Sequence, residues 1–242
     1  MSYITRTPDH HYEFEGVTYP GVTGVLKVLD KSGPLMAWAS RMTAEAAITL
    51  HDSIPLILST SGRDGAIQAL TARSGWQRDE AASLGSQVHA IADQIHRGIE
   101  TDYHGPGEAK VRQYLEWYER ANWRVRATEA FVINPEAGYG GTLDLLAYDG
   151  DGRTVLADLK TGRAVYRETA LQLAAYGRAK FLDPQDGLLY AMPEIDRYVV
   201  LHVTDDGVRE IEMAVGSDEW AAFKACIVLA RWTAAAKGRS DD

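Results

Sequence analysis

Three segments of strand character follow one another between Trp123 and Leu159, and they constrain the fold more than any other feature of the chain. WRVRATEAFVI, GGTLDLLAY and RTVLADL are rich in β-branched and aromatic residues, and the turn sequence DGDG separates the last two. They predict a meander of neighbouring strands. Helical periodicity brackets it. Val111, Leu115 and Tyr118 share one stripe of a helix from Glu108 to Ala121, and RETALQLAAYGRAKF, residues 167–181, returns to helical period afterwards. RYVVLHVT and VREIEMAV predict a further strand pair around Asp205-Asp206-Gly207, and a helix from Ser217 to about Lys237 follows. The order is helices, three strands, helix, two strands, helix. It predicts an α/β fold with a central mixed β-sheet flanked by helices.

The N-terminal third reads differently. HYEFEGVTY, residues 11–19, suggests two short strands around Glu15-Gly16, and helical spacing runs from Thr23 to Asp30. A longer helix starts at Pro34, a natural first-turn residue. Further helices are expected near 62–73 and 76–97, with Gly98 as the stop signal. A chain of 242 residues suits a single domain, with 1–84 as a mainly helical N-terminal part and 85–242 as the core.

Composition narrows the chemistry. The single cysteine, Cys226, lies in an apolar run, so the chain cannot assemble a thiolate zinc or iron–sulfur site by itself. Any metal is held by oxygen or imidazole. A net charge of −9 speaks against coating nucleic acid through bulk electrostatics, yet leaves room for a local basic track beside an acidic cluster. No stretch approaches the roughly 20 apolar residues of a membrane span, and the start has no signal-peptide core, so a cytoplasmic location without membrane attachment is expected.

Asp144 sits between Leu143 and Leu145, facing away from both by strand alternation. On the next strand Asp158 and Lys160 are two apart and share a face. A hairpin closed at DGDG would bring both carboxylates and the ammonium into one small volume. Adjacent carboxylates repel, and a hard divalent cation such as Mg²⁺ between them relieves that repulsion. The backbone carbonyl of Leu159 offers a further oxygen ligand. Lys160 could orient or help deprotonate an attacking water, or steady charge on a phosphate.

At these residues the chain resembles the PD-(D/E)XK nuclease superfamily, and within it the RecB-like branch that includes phage recombination exonucleases and the CRISPR-adaptation exonucleases. Gly141-Thr142-Leu143-Asp144 looks like the family's G-x-x-D strand, and Asp158-Leu159-Lys160-Thr161-Gly162 like its D-x-K-T-G. Gln172 and Tyr176 look like its Q-x-x-x-Y helix, and Gly85-Ser86-Gln87-Val88-His89 like its G-x-x-V-H helix. The four pieces run in the family's order over residues 85–176.

The resemblance implies a restriction-endonuclease-like core and a deoxyribonuclease that uses one or two Mg²⁺ or Mn²⁺ ions. It implies that His89 and Asp144 bind metal together with Asp158, and that Lys160 takes part in catalysis. Gln172 and Tyr176 would line the DNA path near the scissile phosphate. Glu129 takes the place of an acid that assists a second metal in some relatives. The iron–sulfur cysteines of some relatives have no counterparts here, and no Walker A sequence occurs. The function implied is an exonuclease acting on linear ends of single- or double-stranded DNA, in phage recombination, repair or degradation, alongside a recombination or replication protein. If phage-encoded, it would work in the host cytoplasm.

Bland readings stand beside these. Asp144 with Asp158 and Lys160 could be a cross-strand salt bridge on a solvated sheet face, Tyr176 a core aromatic, and Asp93 and His96 residues of a solvated helix face. Arg163, Arg167, Arg178 and Lys180, with Arg124 and Arg126, are together the best phosphate track. Most of the six tryptophans suit a core, and Trp76 is the one placed for base stacking. A structure-selective or nicking endonuclease would use the same chemistry, and a catalytically dead DNA-end-binding module is the non-enzymatic alternative.

Overall fold

The computed structural model describes residues 3–30 and 32–237, and it forms two compact units. One comprises the chain up to Leu29 together with Gln87 onwards, and the other is Asp30–Ser86.

The second unit is helical. α2 (Ser32–Thr49) is followed by α3 (Ile54–His96), which runs on past the unit into the first one. The two helices expected near 62–73 and 76–97 are thus one, because Ser74-Gly75 lowers helix propensity without breaking the backbone ladder. Its only non-helical residue is Gly62, at φ 68°. Arg41 and Glu45 pair one turn apart in α2. Trp76 is exposed.

In the first unit, β1 (Thr5–Arg6), β2 (Tyr12–Phe14) and β3 (Val17–Tyr19) form a small antiparallel sheet. The helical stretch expected from Thr23 to Asp30 shrinks to α1 (Val22–Val25) and one 3₁₀ turn, Leu26–Val28. α3 ends at His96, and just beyond it the N–H groups of Gly98 and Ile99 return to the carbonyls of Ile95 and Gln94. With Gly98 at φ 69° this is a left-handed helix stop. α4 (Glu108–Ala121) then leads into the meander of β4 (Arg124–Asn134), β5 (Tyr139–Tyr148) and β6 (Thr154–Lys160).

α5 covers Glu168–Gly177, shorter than the helix expected over 167–181. Its close approach to the sheet explains Gly177, where a Cβ would run into the Tyr198 hydroxyl. The chain then turns to give Lys180 N–H to the Ile133 carbonyl, and Phe181 opens β7 (Phe181–Asp183). β8 (Tyr190–Ala191), β9 (Arg197–Thr204), β10 (Gly207–Glu212) and α6 (Ser217–Lys237) complete the unit.

The large sheet has seven strands in the order β10-β9-β6-β5-β4-β7-β8. Only β6 and β9 are parallel, with α5 in the crossover between them, so the sheet is mixed as expected. Each face carries a core. Leu156, Val200, Leu143 and Leu146 join α1, α5 and α6 on one face. Val155, Ala157, Leu159, Val199 and Leu201 join α4 and the end of α3 on the other. Strict alternation along β6 and β9 produces this division. Among the described residues no helix is long and apolar enough to cross a membrane.

Candidate metal centre

Alternation fails at two points in β4 and β5: β4 bulges between Val125 and Ala127, and both strands slip at Glu129 and Asp144. Leu143 packs into the α5 and α6 core, whereas Leu145, two residues on, packs into the α4 core. The expectation that both lie on one face opposite Asp144 is therefore corrected. β4 changes faces at the same level, with Ala127 and Ala130 both in the α5 and α6 core although they are three apart. The ladder pairs Thr128 with Leu145 and Ala130 with Leu143, and no pair joins Glu129 to Asp144 between them. The cause is local: Glu129 has φ 47°, a left-handed conformation that costs a non-glycine residue about 1–3 kcal/mol.

At this break three side chains from three elements meet. His89, near the end of α3, Glu129 on β4 and Asp144 on β5 each present one ligand atom, all within 4.8 Å of one another. His89 Nδ1 lies 3.6 Å from Asp144 Oδ2 and 3.7 Å from Glu129 Oε1, too far for hydrogen bonds and close enough for charge attraction. Burial works to lower the His89 pKa, but Asp144 and Glu129 outweigh it and raise it to about 9. The imidazole thus holds a proton where two carboxylates demand a cation.

Asp144 Oδ2 also accepts the Leu159 N–H at 2.7 Å, just past Leu145 and Ala157, the last pair of the β5–β6 ladder at this end. What Leu159 visibly contributes is therefore its N–H, and its side chain is core. Asp158, next to it, is 1% exposed. Its Oδ2 lies 2.5 Å from Lys160 Nζ in an ion pair, and its Oδ1 has no hydrogen-bond partner. Burial and then the Asp144 charge push the Asp158 carboxyl well up, against the pull of Lys160. Burial would lower Lys160, but Asp158 and Asp144 together raise it, so the ammonium persists at neutral pH. Asp158 stands beside the tight group of three, not within it.

Close packing around β5 explains the glycines before Asp144. A Cβ on Gly140 would lie 2.5 Å from Tyr12 Cβ, and one on Gly141 2.5 Å from Tyr176 Cε1. The Tyr12 hydroxyl bonds Thr142 at 2.8 Å. Tyr176 is buried in the core, and Gln172 donates to its hydroxyl at 3.2 Å, so of this pair only Gln172 reaches the surface.

His96 is not on a solvated face: it stacks edge-on against Tyr114 and Tyr118 and bonds the Tyr114 hydroxyl at 2.9 Å. Burial lowers its pKa to about 4, so it is neutral. Asp93 pairs with Arg97. Arg163, Arg167 and Arg178 are exposed, whereas Lys180 pairs with Glu136 and both Arg124 and Arg126 engage Tyr148. Sequence reading passed over Tyr12, Thr142 and Gln185, whose side chain donates to the Glu129 carbonyl. Separations of 130 and 56 residues leave no local signal for these contacts.

No family model matches the chain, and no curated protein matches it either.

Proposed function

We propose that this chain is a Mg²⁺- or Mn²⁺-dependent deoxyribonuclease with a restriction-endonuclease-like core, related to the RecB-like PD-(D/E)XK nucleases and acting as an exonuclease on linear DNA ends. One observation carries the reading: His89, Glu129 and Asp144 converge from a helix and two strands within 4.8 Å, beside the buried Asp158 and Lys160.

These residues fit a hard divalent cation. One imidazole and two carboxylates form a donor set suited to Mg²⁺ or Mn²⁺, and Oδ1 of the buried Asp158, whose Oδ2 faces Lys160, has no hydrogen-bond partner. His89, Asp144 and Glu129 would hold the ion, with the neighbouring Asp158 and the Leu159 carbonyl as further oxygen donors. Such an ion, when bound, supplies Lewis-acid polarisation of the phosphate and a lowered pKa for water. With Asp158 and Asp144 holding its proton on in the metal-free site, Lys160 is suited to neutralise charge on the phosphate and orient the nucleophile. Gln172, Arg163 and Arg167 are the surface groups available to DNA, with Tyr176 bracing Gln172 from beneath.

The test uses end-labelled linear single- and double-stranded DNA and closed circular DNA, incubated in Mg²⁺, Mn²⁺ or EDTA beside an Asp158→Ala control. Metal-dependent loss of linear DNA alone, absent in the variant, is the expected result. Cutting of closed circles would replace the exonuclease by an endonuclease. No cleavage under any metal, with equal DNA affinity in both proteins, would leave a binding module.

A further inference from the structure

We propose that Gln185, in the turn between β7 and β8, is a positioning residue that holds Glu129 in its left-handed conformation and so aims its carboxylate at His89 and Asp144. The proposal rests on the metal-site reading above and deepens it by naming what builds one wall of the site.

The geometry comes from the register. β7 pairs with β4 through Phe131 and Asp183, Val132 and Leu182, Ile133 and Phe181. Extended by two residues, that register puts Gln185 opposite Glu129. Neither can continue a ladder there, because both have positive φ, 47° at Glu129 and 64° at Gln185. The backbone bond that a regular strand would make is replaced by the Gln185 side chain, whose Nε2 donates to the Glu129 carbonyl at 2.7 Å. The turn itself is pinned. Gln185 N–H donates to Asp183 Oδ1 at 2.7 Å, and the other oxygen of this buried aspartate accepts the Ile4 N–H at 3.2 Å. Two left-handed non-glycine residues facing each other persist only where surrounding contacts over-determine them. Here those contacts are an aspartate anchor and one amide donor, and what they hold in place is the only left-handed residue of β4, the one that carries the Glu129 carboxylate.

Direct Mn²⁺ binding by calorimetry, without DNA, tests this in wild type, Gln185→Gly, Gln185→Glu, Glu129→Gln, the Gln185→Gly/Glu129→Gln double variant and Asp144→Asn. Glycine accepts the φ of residue 185, and glutamate keeps the length while removing the donor. Gln185→Gly and Gln185→Glu are each expected to weaken Mn²⁺ about tenfold, a usual effect for a group that orients a ligand, with the metal-free melting temperature of Gln185→Gly unchanged. In the Glu129→Gln background Gln185→Gly is expected to add nothing. Unaltered affinity in both single Gln185 variants, or the same tenfold loss with and without the Glu129 carboxylate, would overturn the proposal. If wild type binds Mn²⁺ and Asp144→Asn abolishes it, the metal reading stands whatever Gln185 does; if wild type binds none, both fall together.

Discussion

The two flanks of the candidate site are built in opposite ways. Asp158 and Lys160 lie on β6, which is paired on both sides and alternates faces without interruption. Their positions in space follow from their spacing in sequence. On the other flank, Glu129 and Asp144 lie where paired strands exchange faces and the ladder has no pair. There, side-chain direction is set by distant groups: the Gln185 amide on the Glu129 carbonyl and the Leu159 N–H on the Asp144 carboxylate. A regular strand places acids at little conformational cost, whereas a broken one gathers ligands from several elements at the cost of backbone strain.

The regular flank carries the chemistry most directly. Asp158→Asn is expected to reduce metal-dependent DNA cleavage on the order of 10³-fold or more, since an ion's charge stabilisation is worth several kcal/mol. Its metal-free melting temperature should stay level or rise, because burial and Asp144 already favour the neutral form of this side chain. A calorimetric scan and a cleavage assay on the same preparation check both halves. A variant that loses activity and also melts well below wild type would mean that Asp158 serves the fold.

Next comes the packing that supports the broken flank. Gly141→Ala forces a Cβ to within 2.5 Å of the Tyr176 ring and should destabilise the protein by about 1–3 kcal/mol in denaturant unfolding. Gly24→Ala, in α1 with nothing within 4 Å of the new Cβ, should be neutral or stabilise by up to about 1 kcal/mol. Equal effects at the two glycines would remove the argument that close approach, and not flexibility, fixes Gly141.

The flanks differ in pH response as well. His89 has a folded-state pKa of about 9, above the ordinary 6.5. Its contribution to the stability of the metal-free protein is therefore complete below about pH 6.5 and lost as pH rises through 9. A metal needs the neutral imidazole, so the rise in melting temperature produced by Mn²⁺ should grow from pH 6.5 to 9. A rise independent of pH in that window would take His89 out of the ligand set.

Much of this was legible in the sequence. α4, β9 and α6 occupy the expected residues, and Asp158 and Lys160 meet as their spacing requires, because such segments are decided by periodicity and short-range hydrogen bonding. Legibility ends where a choice depends on something far along the chain. Nothing local marks Glu129 as left-handed, since no glycine or asparagine announces it. β7, three residues long, exists because β4 offers an edge to pair with, and the two residues of β8 pair in turn with β7. Tyr176 lies four residues from Gln172 as a helix face demands, yet its burial follows from the absence of a side chain at Gly141, thirty-five positions earlier.

The smallest expected effect concerns neither flank but the approach to both. Arg163 follows β6 closely and Arg167 precedes α5, and both side chains are exposed. Exposed side chains of this kind change stability by about 0.5 kcal/mol or less when truncated, so Arg163→Ala and Arg167→Ala should melt with wild type. If each guanidinium neutralises one phosphate, each variant should lower the slope of log affinity against log salt by about 0.7–0.9, depending on whether the DNA is single- or double-stranded. The measurement is a salt titration of DNA binding by fluorescence anisotropy in Ca²⁺, another hard, oxygen-seeking cation, run on the Asp158→Asn protein so that no substrate is consumed. With a net charge of −9 the protein has little bulk attraction for DNA, so two lost contacts should stand out in that slope. Unchanged slopes in both variants would move the DNA path away from the β6–α5 connection and leave Gln172 as the nearest surface group of the motif.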